Sequence, residues 1–354
     1  QNEQFVNDFS TENLGISEKK NKLPINNIII IGGIALSVVI IVALILIIIL
    51  TRKHSSSSSQ EWENLPVIGT ISCMYDVSPE VRPTTILGQE FVKKSKFDIF
   101  INGNRIKYDK VYEFTIFGST KIEFKLHENI NMDYMFKGVD SLITVEMSSE
   151  NNNNTKILSM TSTFENCVNL KSFSIKGFNT REIKSLKKLF YNADLENLNL
   201  ENFNTENVAD ISYMFASSSL ASIDFSNINT ENVIDMSYLF SNCTNLILLD
   251  LSELKTTKTQ NMSHMFEGLI SLNYLDVSNL DTKSVKDMSY MFRECNLLKE
   301  IDLTNFNTEQ VEDLSYMFDE CTEVTKFYLK SFDTKKVKNM SHLFRFCKEL
   351  TSLN

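Results

Sequence analysis

The residues able to do chemistry in this chain recur in a fixed order. Asp287–Phe292 reads DMSYMF, and near-copies stand at Asp235–Phe240 and Asp313–Phe318. An acid, a phenol and a cysteine three residues after the phenylalanine would in principle supply a proton donor, a second acid and a nucleophile. The exchange pattern at each position argues against that use. The acid position holds Asn131, Ser159, Ser185, Asp210, Asp235, Asn261, Asp287, Asp313 and Asn339 in nine copies. Asp, Asn and Ser have in common a side-chain oxygen that accepts a bond from an orphan backbone N–H, so the motif predicts a helix N-cap. The tyrosine position becomes His264 and His342, three copies apart and unable to share a metal or a proton. Cys167, Cys243, Cys295, Cys321 and Cys347 alternate with Val139, Ala193, Ser218 and Leu269, as expected of a small buried packing slot. No CxxC pair, Cys/His cluster, Ser/His/Asp set or phosphate-cradling glycine loop accompanies them. The expectation is a non-enzyme with no catalytic, cofactor-binding or metal-binding residue.

Binding chemistry is more plausible, and it falls on another column. Where the sequence alternates like a strand, Asp224, Asp250, Asp276 and Asp302 occupy one outward position in four successive copies. Neighbouring strands lie ~4.8 Å apart, so these carboxylates repel by ~1 kcal/mol each in water before salt screens them. A divalent cation, a basic partner or merely solvent would offset that. One acid per coil is thin for a tight calcium site. Nearby Tyr274, Glu300, Lys326 and Tyr328 vary between copies, as a recognition surface or a free surface would. These eight residues form the candidate partner-binding face.

The elements that position this face follow from the period. The motif phenylalanines are Phe136, Phe164, Phe190, Phe215, Phe240, Phe266, Phe292, Phe318 and Phe344, spaced by 28 and then by 25 or 26 residues. A fixed period of this length means a stacked-repeat solenoid. Within Asp287–Thr308 the apolar positions Met288, Met291, Phe292, Cys295 and Leu298 suit one face of a short helix. Ile301 and Leu303 alternate as in a strand. LxxLxL is the core phrase of leucine-rich repeats. The fold expected is an α/β, leucine-rich-repeat-like solenoid over residues 129–354, of about nine 25–26-residue coils, each a short helix plus a short parallel strand. The threonines from Thr180 to Thr334, one per copy, fall in the turn after the strand.

Four segments precede it. Residues 1–27 are a polar tail. Residues 28–50 are apolar and free of charge, long enough for a single transmembrane helix. Residues 51–61 are a Ser-rich spacer, and 62–128 read as a small β-rich domain capping the first coil. In that domain Asn102-Gly103 signals a hairpin, and Gly118 marks a second turn within Val111–Leu126. Lys19, Lys20 and Lys22 before the span against Arg52 and Lys53 after it favour a cytoplasmic N-terminus. The repeats then lie outside the cell or in a lumen. A net charge of −10 argues against a nucleic-acid partner.

The repeat pattern F..C..L..LDLS.FNT..V.DMSYMF resembles that of BspA-like leucine-rich-repeat surface proteins over Asn131–Asn354. The resemblance implies a solenoid displayed at the cell surface, with adhesion or partner binding as its role, and it carries over no catalytic residue. The functional expectation is a single-pass membrane protein whose repeats bind a protein or glycan. The alternative is a structural protein that self-associates into a coat or filament.

Overall fold

The computed structural model describes residues 65–150, 154–200 and 203–353. The architecture belongs to one compact unit, Pro66–Asn354. Its strands are β1 (Gly69–Val77), β2 (Thr84–Thr85), β3 (Phe97–Ile101), β4 (Asn104–Ile106), β5 (Val111–Tyr112), β6 (Gly118–Leu126), β7 (Ile130–Asn131) and β8 (Leu142–Ser148). The rest are β9 (Ile157–Ser159), β10 (Ser172–Lys176), β11 (Asn197–Asn199), β12 (Ser222–Ile223), β13 (Leu248–Leu249), β14 (Glu300–Asp302), β15 (Lys326–Tyr328) and β16 (Ser352–Leu353).

No helix occurs among the described residues, so the expected α/β leucine-rich-repeat architecture is corrected to a β-solenoid. Nor is any helix there long and apolar enough to cross a membrane, so the transmembrane helix is no part of the observed fold. The run 28–50 lies outside the described residues, as do the tail 1–27, the spacer 51–61 and residues 62–64. The helical stripe failed for a physical reason. Tyr290 and Glu294 both sit at φ +59°, in the left-handed region, and an α-helix cannot contain either. Each DMSYMF segment is instead two successive turns. Met291 N–H bonds to Met288 O and Cys295 N–H to Phe292 O, both at 3.3 Å. The intervening amides turn outward to the next coil. Met288 N–H donates to Asp313 O (3.0 Å), while Tyr290 and Phe292 donate to Ser315 O and Met317 O (2.9 Å each). Met288, Met291, Phe292 and Cys295 are fully buried all the same. The spacing identified which residues enter the core and misidentified the backbone that carries them.

The coils stack through a column of motif phenylalanine rings, with Phe266–Phe292 centroids 5.5 Å apart and Phe292–Phe318 5.9 Å apart. Short parallel strands pair on one side, as in β14–β15–β16. Single parallel bridges link Ser185, Asp210, Asp235, Asn261, Asp287, Asp313 and Asn339 in turn on the other. The threonine column bonds between coils. Thr282 Oγ1 donates to Asn307 O (3.0 Å) and accepts from Asn307 N–H (2.7 Å), and the pattern repeats at Thr308 with Asp333. Thr259, standing where other coils have Val, is also buried and donates to Val233 O.

The leading strands extend this sheet. The order is β11-β10-β8-β1-β6-β3-β4, in which β10 joins β8 in parallel and β1 pairs antiparallel with β8. The first coil's strand edge is thereby covered. Gly88 donates its N–H to Met135 O (2.8 Å), so close to the coil that a Cβ there would stand 2.2 Å from Tyr134 O. The Asn102-Gly103 turn joins β3 and β4 with both residues at positive φ. Gly118 does not close a hairpin between its flanks, because β5 pairs with β2 while β6 pairs with β1 and β3.

Candidate functional site

The outward strand face is built from turns. Each aspartate of the predicted column accepts the N–H two residues on; Asp302 ends β14, Asp224 and Asp250 directly follow β12 and β13, and Asp276 holds the same place in a coil without an assigned strand. Asp224 Oδ1 takes Ser226 N–H (2.8 Å), and Asp250, Asp276 and Asp302 take Ser252, Ser278 and Thr304 N–H (2.9 Å each). This is an Asx turn, which bends the chain out of the sheet. The bond from Ser226 N–H, joined by that residue's hydroxyl, holds the Asp224 carboxyl below the usual range. Ser252 does the same for Asp250, amide first, and Ser278 for Asp276, hydroxyl first. The charge of Asp250 opposes both shifts, raising Asp224 and Asp276. The repulsion inferred from the spacing is therefore present, and part of its offset is internal.

The eight candidate residues divide into two groups. Toward the C-terminus Asp302 stands in register with Tyr328, and Glu300 engages both Lys326 and Tyr328. The Lys326 ammonium lies 3.7 Å from Glu300, and the Tyr328 hydroxyl donates to Glu300 Oε2 at 3.2 Å. Around Asp224, Asp250 and Asp276 the face is open and partly apolar. Tyr274 is 72% exposed, and Ile247 and Leu248 are each 64% exposed. Ser222 pairs with Leu248 in register, so this patch runs across successive coils beside the acids.

The motif acids behave like the strand acids. Asp287 Oδ1 accepts Ser289 N–H (2.9 Å) and Ser289 Oγ–H (2.7 Å), and Asp313 does the same with Ser315. The expected N-cap is thus an Asx turn. The local bond is of the same kind, without a helix behind it.

On the turn side the sequence showed the Tyr/His column but not its stacking, and it left a second column, of charge, unread. The Tyr/His positions stack ring on ring: Tyr213–Tyr238 at 4.1 Å, Tyr238–His264 at 4.0 Å, His264–Tyr290 at 4.3 Å and Tyr290–Tyr316 at 4.5 Å. Beside them runs a ladder of alternating charge. Glu267 meets Arg293 (2.9 Å), Arg293 meets Asp319 (3.3 Å), and Asp319 meets Arg345 through two bonds (2.8 and 2.7 Å). Burial pushes Asp319 up, but the bonds from Arg345 and Arg293 prevail and hold it below its ordinary value. Sign alternation at steps of 26 residues was legible in the sequence once the position after the motif phenylalanine was aligned.

His264 sits between two rings with Nδ1 2.7 Å from Glu267 Oε2. His127 faces Asp98 Oδ2 (3.0 Å) with one ring nitrogen and Pro66 O (3.2 Å) with the other, which leaves neither to activate a nucleophile. The column thiols donate to the preceding coil, as Cys321 Sγ does to Phe292 O (3.1 Å). Burial pushes the Cys295 thiol up to about 12. Among the described residues no three His, Cys, Asp or Glu side chains converge to hold a metal.

Comparison with known proteins bears on the repeats. The family described as "Mycoplasma protein of unknown function, DUF285" matches residues 130–248 and again 235–353. The chain belongs to this family. The double match follows the coil stack, and it places the DUF285 chain among repeat proteins without the narrower BspA-like assignment. No curated protein and no solved structure matches the chain.

Proposed function

We propose that this DUF285 protein is a non-catalytic recognition protein, displayed at the cell surface, whose solenoid binds a protein or glycan through its outward strand face. The observation that carries the reading is the contrast on that face. The backbone and its Asx turns repeat from coil to coil, while Leu248, Tyr274, Glu300 and Lys326 change at one equivalent position. A fixed scaffold with a varied outer surface suits partner recognition. Surface display draws on the resemblance to BspA-like proteins, and attachment at a membrane on the charge-free run 28–50. Stacking of the first coil against a neighbouring molecule is disfavoured as a route to filaments, because β1 already occupies that edge.

Protease shaving of intact cells, read with an antibody to the repeats, tests the placement; repeats that survive shaving would rule out surface display. Adhesion of cells carrying Leu248→Ser with Tyr274→Ala tests the face. Retained folding with lost adhesion supports the reading, and unchanged adhesion removes the strand face from it.

A further inference from the structure

We propose that the open part of the strand face docks an extended, basic-amphipathic polypeptide segment, with apolar side chains on Leu248 and Tyr274 and Lys or Arg side chains against Asp224, Asp250 and Asp276. This rests on the recognition reading above and names the partner's chemistry.

The first observation is apolar exposure without a local reason. Ile247 and Leu248 at 64% and Tyr274 at 72% lie together on adjacent coils, while buried side chains of the same coils, such as Leu249 and Leu272, already fill the core. Exposed large apolar groups that sit together, rather than singly, mark contact surfaces. The second observation is charge beyond what the turns require. An Asx turn needs an acceptor oxygen, and Asn supplies it at Asn179, Asn204, Asn229 and Asn307 in the neighbouring turn column. On the outward face Asp stands in four successive coils instead, although Asp250 repels both Asp224 and Asp276. Each of these carboxylates places one oxygen on a turn amide.

Complementarity then selects the occupant. A row of acids beside a row of apolar groups, both advancing one coil at a time, fits a chain that crosses the coils. An extended segment advances ~3.3 Å per residue and sends alternate side chains to one face, so its contacts on that face recur about every 6.6 Å, longer than the ~4.8 Å coil step, and long side chains must span the difference. Lys and Arg suit this arrangement because their apolar stems pack on Leu248 and Tyr274 while their charged heads reach the acids. Arg guanidinium also pairs favourably with an exposed tyrosine face. A neutral glycan would use the ring and leave the acid repulsion unrelieved.

The test is fluorescence anisotropy on the full chain, with labelled peptides of repeating Lys-Lys-Leu-Leu (the Lys–Leu peptide) or repeating Glu-Glu-Leu-Leu (the Glu–Leu peptide), in which both residue types reach one face of an extended chain. The expected result is binding of the Lys–Leu peptide alone, weakened by raising salt from about 50 to 500 mM. Asp224→Asn/Asp250→Asn/Asp276→Asn should weaken it roughly tenfold, the scale of three exposed charge pairs removed together. Asn keeps the turn acceptor, so folding is retained and circular dichroism should be unchanged. Tyr274→Ala should weaken binding separately. A control triple, Glu80→Gln/Glu113→Gln/Glu231→Gln, removes the same charge elsewhere and should leave binding unchanged.

Equal losses from both triples would overturn the proposal, because attraction would then follow net charge alone. Equal binding of the Glu–Leu peptide, or no binding of the Lys–Leu peptide, would also overturn it. If the Lys–Leu peptide fails while adhesion still depends on Leu248 and Tyr274, the partner chemistry is wrong and the recognition reading stands. If neither depends on the face, both fall.

Discussion

Replacing Thr282 by Val tests how the coils are joined. The Thr282 side chain is 1% exposed, and its hydroxyl both donates to and accepts from the main chain of Asn307 in the next coil. Val preserves the shape and removes the hydroxyl. The N–H and C=O of Asn307 then lose their partner together, and two groups stranded at a partly buried site cost about 2 kcal/mol. Thr282→Ser is the control, since it keeps both bonds and removes one buried methyl, for about 1 kcal/mol. A solenoid opens in units smaller than the whole, so the readout is local hydrogen exchange rather than a global melt. Amides of the coil around 282–308 should exchange about 30-fold faster in the Val variant and about 5-fold faster in the Ser variant, with distant coils little changed. A Val effect no larger than the Ser effect would refute the threonine ladder as an inter-coil bond.

Three further outcomes follow from the turn side. Asp319→Ala leaves Arg293 and Arg345 facing an empty position, and should destabilise the chain by about 2–3 kcal/mol at neutral pH in denaturant titrations. Because Asp319 titrates below its ordinary value in the folded state, its stabilisation is complete above about pH 4, the unfolded range, and is lost as pH falls through the folded value; a gap between wild type and Asp319→Asn that stays constant down to pH 2 would contradict this. Tyr290 stands at φ +59° between two stacked rings, so Tyr290→Ala loses the stack and keeps the strain, whereas Tyr290→Gly loses the stack and relieves it; Gly should be the milder substitution by about 1 kcal/mol in the same titrations, and the reverse order would show that strain is negligible there. Iodoacetamide at pH 8 should label the half-buried Cys347 before the buried Cys295 and Cys321, as read by peptide mass mapping, and equal rates would mean that the coils open together.

The repeats were legible because a period is independent of the backbone that realises it. Phenylalanines 25 or 26 residues apart required a stack, and every motif phenylalanine from Phe136 to Phe318 is fully buried. The helix was not legible from the apolar stripe, because offsets of three and four bring side chains to one side of a helix and of two successive turns alike. The discriminating signal stood two residues past the motif phenylalanine in five of the nine coils, the other four having Ser217, Glu294, Glu320 and Phe346 there at the same positive φ. The five are Gly138, Asn166, Asn192, Asn242 and Gly268, all at positive φ, and Gly and Asn are the residues that tolerate that conformation. Left-handed conformers recurring in every coil exclude a helix. The aromatic column carries no such signal, since Ser162 and Lys188 take the same positive φ as the tyrosines and the turn imposes it whatever the side chain.

The outward face was legible as a position and only in part as a role. Strand alternation placed Asp224, Asp250, Asp276 and Asp302 outward, and the structure has them exposed. Their spacing implied repulsion, and the fields of neighbouring carboxylates bear it out for Asp224 and Asp276. What strand logic left out is that the residue ending a strand is also the first residue of a turn. The same oxygen that faces a partner from the sheet's point of view is a turn acceptor from the loop's. Substitution to Ala would therefore confuse the two roles, removing turn and charge together, while Asn separates them. That separation, available because Asn occupies the equivalent turns elsewhere in the stack, makes the function of this face open to a clean measurement.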